Sequence, residues 1–131
     1  MSDTIYFINS AGNINVQKET FIIDAKERNN IDYACGDLIY SKNNVLSRSL
    51  AEKIRMPVIS YLQSDNTREI KQSGTEIYLL HHAQAPAVMV ECGFLSNKEE
   101  TEKLKNEAYQ QKLAFLIAIG IIDYFTDTED V

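Results

Sequence analysis

The residues best placed to do chemistry lie in the stretch Pro86-Ala87-Val88-Met89-Val90-Glu91-Cys92-Gly93-Phe94-Leu95-Ser96-Asn97. An apolar run closes on a carboxylate, turns through Gly93 and meets a polar helix start. Ligands of open α/β sheets gather at the carboxyl ends of the strands, so Glu91 stands where a working side chain would stand. Partial desolvation there raises a carboxyl pKa toward the range useful for general acid/base work. The competing reading is a structural Glu held by an arginine or a helix amide. Other reactive side chains are few, with two His and two Cys in 131 residues. His81 and His82 close an apolar run; on a strand, neighbours point to opposite faces, so the pair is expected to be solvated rather than to chelate one ion. Cys35 and Cys92 form no C-x-x-C, which removes zinc-knuckle and thioredoxin-type chemistry and leaves either two buried thiols or one disulfide. Nothing around Cys92 suggests an activated nucleophile, so it reads as a buried structural thiol.

The elements that must position these residues alternate between strand and helix patterns. Residues 4–8, 20–23, 77–80 and 87–90 read as strands, the last an unbroken apolar run suited to a strand covered on both faces. Residues 24–37 read as a surface loop and 64–74 as a polar turn. Leu46, Leu50 and Ile54 recur at helical spacing within 41–54, and Pro57 is expected to end or bend that helix. Ser96 and Glu99 have capping-box spacing at the start of a short charged helix running toward Asn106. Tyr109, Leu113, Leu116, Ile117, Gly120, Ile121 and Tyr124 then form a core-facing stripe. The expectation is an α/β domain over residues 1–125, a twisted, mostly parallel or mixed sheet flanked by helices, followed by an acidic tail at 126–131.

Composition narrows the function. With 13 Lys+Arg against 19 Asp+Glu the formal charge is −6, which argues against a nucleic-acid partner, since phosphate binding rests on clustered cations. No apolar run approaches the roughly 18 residues of a membrane span, and Met1-Ser2-Asp3 is not the basic start of a signal peptide; expressed alone, the chain is expected to stay in the cytoplasm.

The Pro86–Asn97 segment resembles the motif near the end of the zinc-dependent N-acetylmuramoyl-L-alanine amidases of the amidase-3 type, and most of all their sporulation-associated form. Asn66-Thr67-Arg68, Ile77-Tyr78-Leu79-Leu80 and Tyr109-Gln110-Gln111-Lys112-Leu113-Ala114 extend the similarity from about Val45 to Phe125. The resemblance implies a sheet with helices on both faces, and an enzyme of the cell wall that cuts the amide between N-acetylmuramic acid and L-alanine of peptidoglycan. In that family two His and one Glu hold zinc, and the Glu matching Glu91 is the general base on the zinc-bound water. Arg68 matches a basic position that either contacts substrate or pairs with a carboxylate, and Asn97 is a further candidate substrate contact. The zinc ligands do not carry over. The family's Asp-Pro-Gly-His-Gly-Gly turn has no counterpart, and its last ligand position falls on Asn9, an amide and a poor zinc donor. The resemblance therefore implies a domain short of its N-terminal strand and a chain that holds no zinc by itself. An exposed sheet edge would invite a homodimer or a partner chain. Two functions follow: an amidase whose metal ligands come from elsewhere, or a non-catalytic relative that binds peptidoglycan or a sporulation partner.

Overall fold

The computed structural model describes residues 37–129, together with the strand segments Phe7–Ile8, Ile14–Asn15 and Ile22–Ile23. In chain order these three segments are β1, β2 and β3, followed by β4 (Asp37–Tyr40), α1 (Leu46–Tyr61), β5 (Lys71–Gln72) and α2 (Tyr78–His82). The chain then forms β6 (Val88–Glu91), α3 (Lys98–Lys105) and α4 (Glu107–Glu129). Strands β1 and β2 pair antiparallel, and the other four form a mixed sheet in the order β3-β6-β4-β5. Strand β6 runs parallel to β3 and antiparallel to β4, with Leu38 opposite Val90 and Tyr40 opposite Val88.

Alternation sorts the central strands. Leu38, Val88 and Val90 pack with Ile54 and Val58 of α1 and with Leu113, Leu116 and Ile117 of α4, which is the apolar core. The other phase of each strand carries Ile39 and Met89, and ends in Asp37 on β4 and Glu91 on β6. The α/β class and mixed sheet are as expected, and so are the strand ending at Glu91 and the core-facing stripe of the last helix, although α4 also exposes Phe115, Ile122 and Phe125 and is not cleanly amphipathic.

Five local expectations are corrected. Asp37 belongs to a strand, not to the preceding loop, because Leu38-Ile39-Tyr40 alternates between core and the opposite face; the rest of residues 24–36 and Asn9 lie outside the described residues. Helix α1 continues through Pro57 to Tyr61, and its apolar face is Ala51, Ile54 and Val58 rather than Leu46, which is 44% exposed. Proline gives no amide to the carbonyl four residues earlier, that of Lys53. Gly120 of α4 lies against that carbonyl and the Ile54 backbone, so the helices cross where α1 has a gap in its ladder and α4 has no side chain. Residues 78–82 form a single helical turn, not a strand. A four-residue apolar run does not distinguish the two by pattern, and only Leu80 of it is buried. Ser41 Oγ donates to the Leu80 carbonyl, and the Asn43 and Asn44 side chains donate to those of His81 and Gln84, so side chains satisfy this turn's last carbonyls. The α3 cap is Asn97, one residue past Ser96, with its side-chain oxygen accepting the Glu100 amide at 3.0 Å. Helix α4 runs to Glu129, into the stretch read as a tail. Among the described residues, no helix is long and apolar enough to cross a membrane.

Candidate functional site

Glu91 closes β6 and is 2% exposed. Its direct partner across the antiparallel pair is Asp37, also 2% exposed. Side chains directly opposite in such a pair share a face, with Cβ atoms about 4.5–5.5 Å apart. The sheet register thus sets two buried carboxylates side by side.

Arg68 grips one of them. Its Nε donates to Asp37 Oδ1 and its Nη2 donates to Oδ2 at 2.7 Å, a bidentate pair, while Lys71 Nζ of β5 reaches Oδ2 at 2.9 Å. Burial on its own would raise the Asp37 pKa; the hydrogen bonds from Arg68 and Lys71, helped by their charges, hold it below the ordinary value. The Arg68 guanidinium also lies 5.2 Å from the centroid of the Phe94 ring, within cation–π reach.

A run of side-chain hydrogen bonds sets the loop that carries Arg68. Tyr109 of α4 accepts from Gln63 Nε2 at 3.0 Å, Gln63 Oε1 accepts from Asn66 Nδ2 at 3.0 Å, and Asn66 Oδ1 accepts the Arg68 amide at 2.9 Å. Arg55 of α1 donates to the Arg68 carbonyl at 3.0 Å. Behind the site, Gly93 lets α3 close on the turn. A Cβ there would meet Glu100 Oε2 at 2.8 Å and Leu104 Cδ1 at 3.3 Å. The result is a narrow recess between β6, α1 and this loop, lined by Asp37, Arg55, Asn66, Arg68, Glu91 and Cys92. It offers a buried carboxylate beside a compensated ion pair, an arrangement able to take up and return a proton.

The structure brings Arg68 to the recess that holds Glu91 and spends its fork on Asp37. Asn97 sits at the α3 cap. His81 and His82 lie on α2, where His82 Nδ1 is 3.0 Å from the Tyr78 carbonyl and its ring stacks on Tyr78. Cys92 is buried, and Cys35 lies outside the described residues. Asp37 escaped the sequence reading although the signal was there: Gly36 as breaker, then an acid opening an apolar β-prone trio, the mirror of the strand that ends in Glu91. The described donors do not fit zinc. Among the described residues no three His, Cys, Asp or Glu converge, and Asp37 is already taken by two cations.

Comparison with known proteins places this geometry. A family model described as N-acetylmuramoyl-L-alanine amidase matches residues 11–123. The germination-specific N-acetylmuramoyl-L-alanine amidase of Bacillus subtilis (strain 168) is 32% identical over 91 residues, which cover 70% of this chain and 36% of that protein. The uncharacterised protein YqiI of the same strain is 39% identical over 79 residues, 60% of this chain and 37% of its own length. Among solved structures, the CwlD amidase of Clostridioides difficile, in complex with the GerS lipoprotein, superposes with a TM-score of 0.74 at 33% identity. The match covers 79% of this chain and 53% of that one. The chain thus spans about a third to a half of these relatives.

Proposed function

This chain belongs to the N-acetylmuramoyl-L-alanine amidase family, and from that premise we propose that it carries the Glu91 part of a cell-wall amidase centre and engages peptidoglycan. The family is generally zinc-dependent and acts on peptidoglycan of the cell wall. The reaction would be hydrolysis of the amide between N-acetylmuramic acid and L-alanine, with Glu91 as the general base. The observation that carries the reading is the buried Glu91 at the carboxyl end of a central strand, in a chain that superposes on a solved amidase.

In the completed centre Glu91 would take the proton of the attacking water and return it to the leaving L-alanine amine, with Arg68 setting the charge beside it. Asn97 is proposed as a substrate contact in the turn after the strand. A lone acid/base group typically contributes only about 10²–10⁴-fold, so the 131-residue polypeptide by itself is expected to bind peptidoglycan without turning it over. Metal donors from a further segment outside these 131 residues, or from a partner docked at the sheet edge, would complete the centre. The residues up to 125 would act as one unit, at the cell wall.

The test is sedimentation with purified peptidoglycan sacculi, with free L-alanine amino termini measured in the same tubes. Co-sedimentation supports the reading. A chain that stays in the supernatant at every ionic strength overturns it.

A further inference from the structure

We infer that Asp37 is a positioning residue for Glu91: it pins the Arg68 guanidinium in the recess, and this pair sets the charge against which Glu91 gains and loses its proton. The inference rests on the proposed role of Glu91 as the proton-transfer group.

Three observations meet here. Asp37 and Glu91 are direct partners in the β4–β6 register, so their carboxylates share one face and one recess. Both are almost fully buried, so the Coulomb interaction between them is only weakly screened. Arg68, with a side chain 17% exposed, approaches Asp37 through two nitrogens, and the fully buried Asp37 side chain also takes Lys71. Two like charges so placed would not both ionise freely; one would hold its proton. The two cations remove that conflict by compensating Asp37.

Among the described residues, the other charged or titratable groups around the site are few. Arg55 comes from α1, and its Nη2 lies 3.8 Å from Glu69. Cys92 follows Glu91 in the chain and also lines the recess. Glu100 of α3 stands behind Gly93, with Lys103 Nζ 3.6 Å from its Oε1. None of these bridges Asp37. Among the described residues, the control of its charge therefore falls to Arg68 and Lys71.

The test follows the Glu91 side-chain carboxyl by ¹³C NMR across pH 3–9 in the full chain, with Glu91→Gln identifying the resonance. In Arg68→Gln the Glu91 midpoint rises by about one to two pH units, because the Asp37 charge on the facing strand is less compensated. In Asp37→Asn it falls, because Arg68 keeps its charge and loses its counterion. The double variant Asp37→Asn/Arg68→Gln returns toward the wild-type midpoint, the signature of a coupled pair. Lys71 is half exposed and its loss is better tolerated, so Lys71→Gln should give a smaller rise in the same sense even if Arg68→Gln does not fold. A merely structural Asp37 would lower stability in these variants without moving the Glu91 titration. An unmoved midpoint in the folded variants overturns the inference. Because no readout involves peptidoglycan, failure of the proposed function would not produce that result.

Discussion

Replacing Gly120 by alanine puts a methyl group where α1 and α4 touch. An ideal Cβ at this position would lie 2.5 Å from Ile54 Cα and 2.9 Å from Ile54 N, in addition to its contact with the Lys53 carbonyl. Ordinary contacts begin near 3.4 Å, and the obstructing atoms are backbone, so the helices must part by roughly 1 Å. A radial gap of that size forfeits a quarter to a half of each dispersion contact across it. The layer affected is Ile54 and Val58 against Leu113, Leu116 and Ile117. Overpacking of this kind costs about 1–3 kcal/mol, and the backbone clash puts this case at the upper end. Alanine recovers about 1 kcal/mol of helix propensity, which leaves a net loss of about 2 kcal/mol and a fall in Tm of about 6–10 °C. Thermal and urea unfolding followed by far-UV circular dichroism measures this directly. The control is Ala114→Gly at an exposed position of the same helix, which should lose about 1 kcal/mol through propensity alone. If Gly120→Ala raised Tm, by the gain that the control loses, the close crossing would be refuted.

Other consequences are quicker to check. The Asp37 carboxyl is held below its ordinary pKa, so its contribution to stability is complete above about pH 4 and is lost as pH falls through the lowered folded value. Urea midpoints measured from pH 2 to 6 should therefore flatten on the acid side in Asp37→Asn. Arg68→Ala leaves the Asp37 charge buried with Lys71 alone and should cost about 3–5 kcal/mol at pH 7, read from the same midpoints. Asn97→Ala should cost about 1 kcal/mol through the lost cap. Ser96→Ala should cost less than Asn97→Ala, since among the described residues Ser96 Oγ has no hydrogen-bond partner; the opposite order would return the cap to Ser96. Metal analysis of the purified chain should find no stoichiometric zinc; one tightly bound ion would contradict that expectation, since no fitting donor set stands among the described residues.

The parts legible in the sequence were those whose pattern is long or chemically loaded. The stripe through Leu113, Leu116, Ile117 and Gly120 fixes α4, and the apolar run closing on Glu91 fixes β6, because burial imposes a period that survives in the sequence. What escaped depends on tertiary contacts. Residues 77–80 are too few to reveal a period, and their helical turn is held by Ser41, Asn43 and Asn44 from a distant connection. Pro57 stays inside α1 because packing against α4 outweighs the missing amide. The cap moved from Ser96 to Asn97 because spacing alone does not say where the turn out of β6 ends. Glu91 was visible from its motif, and Arg68 from its place in the similar stretch. For Asp37 the sequence signals at most a strand start after Gly36; its pairing with Glu91 is set by the β4–β6 register, which no linear spacing encodes.

The central claim is that Glu91 serves a peptidoglycan-binding site that this polypeptide does not complete alone. The direct measurement is release of L-alanine amino termini from purified sacculi by the 131-residue chain with added zinc, beside Glu91→Gln and with bound protein quantified. Both proteins should sediment with the sacculi, and neither should release amino termini above background. Glu91-dependent release would contradict the claim, and so would failure of either folded protein to bind.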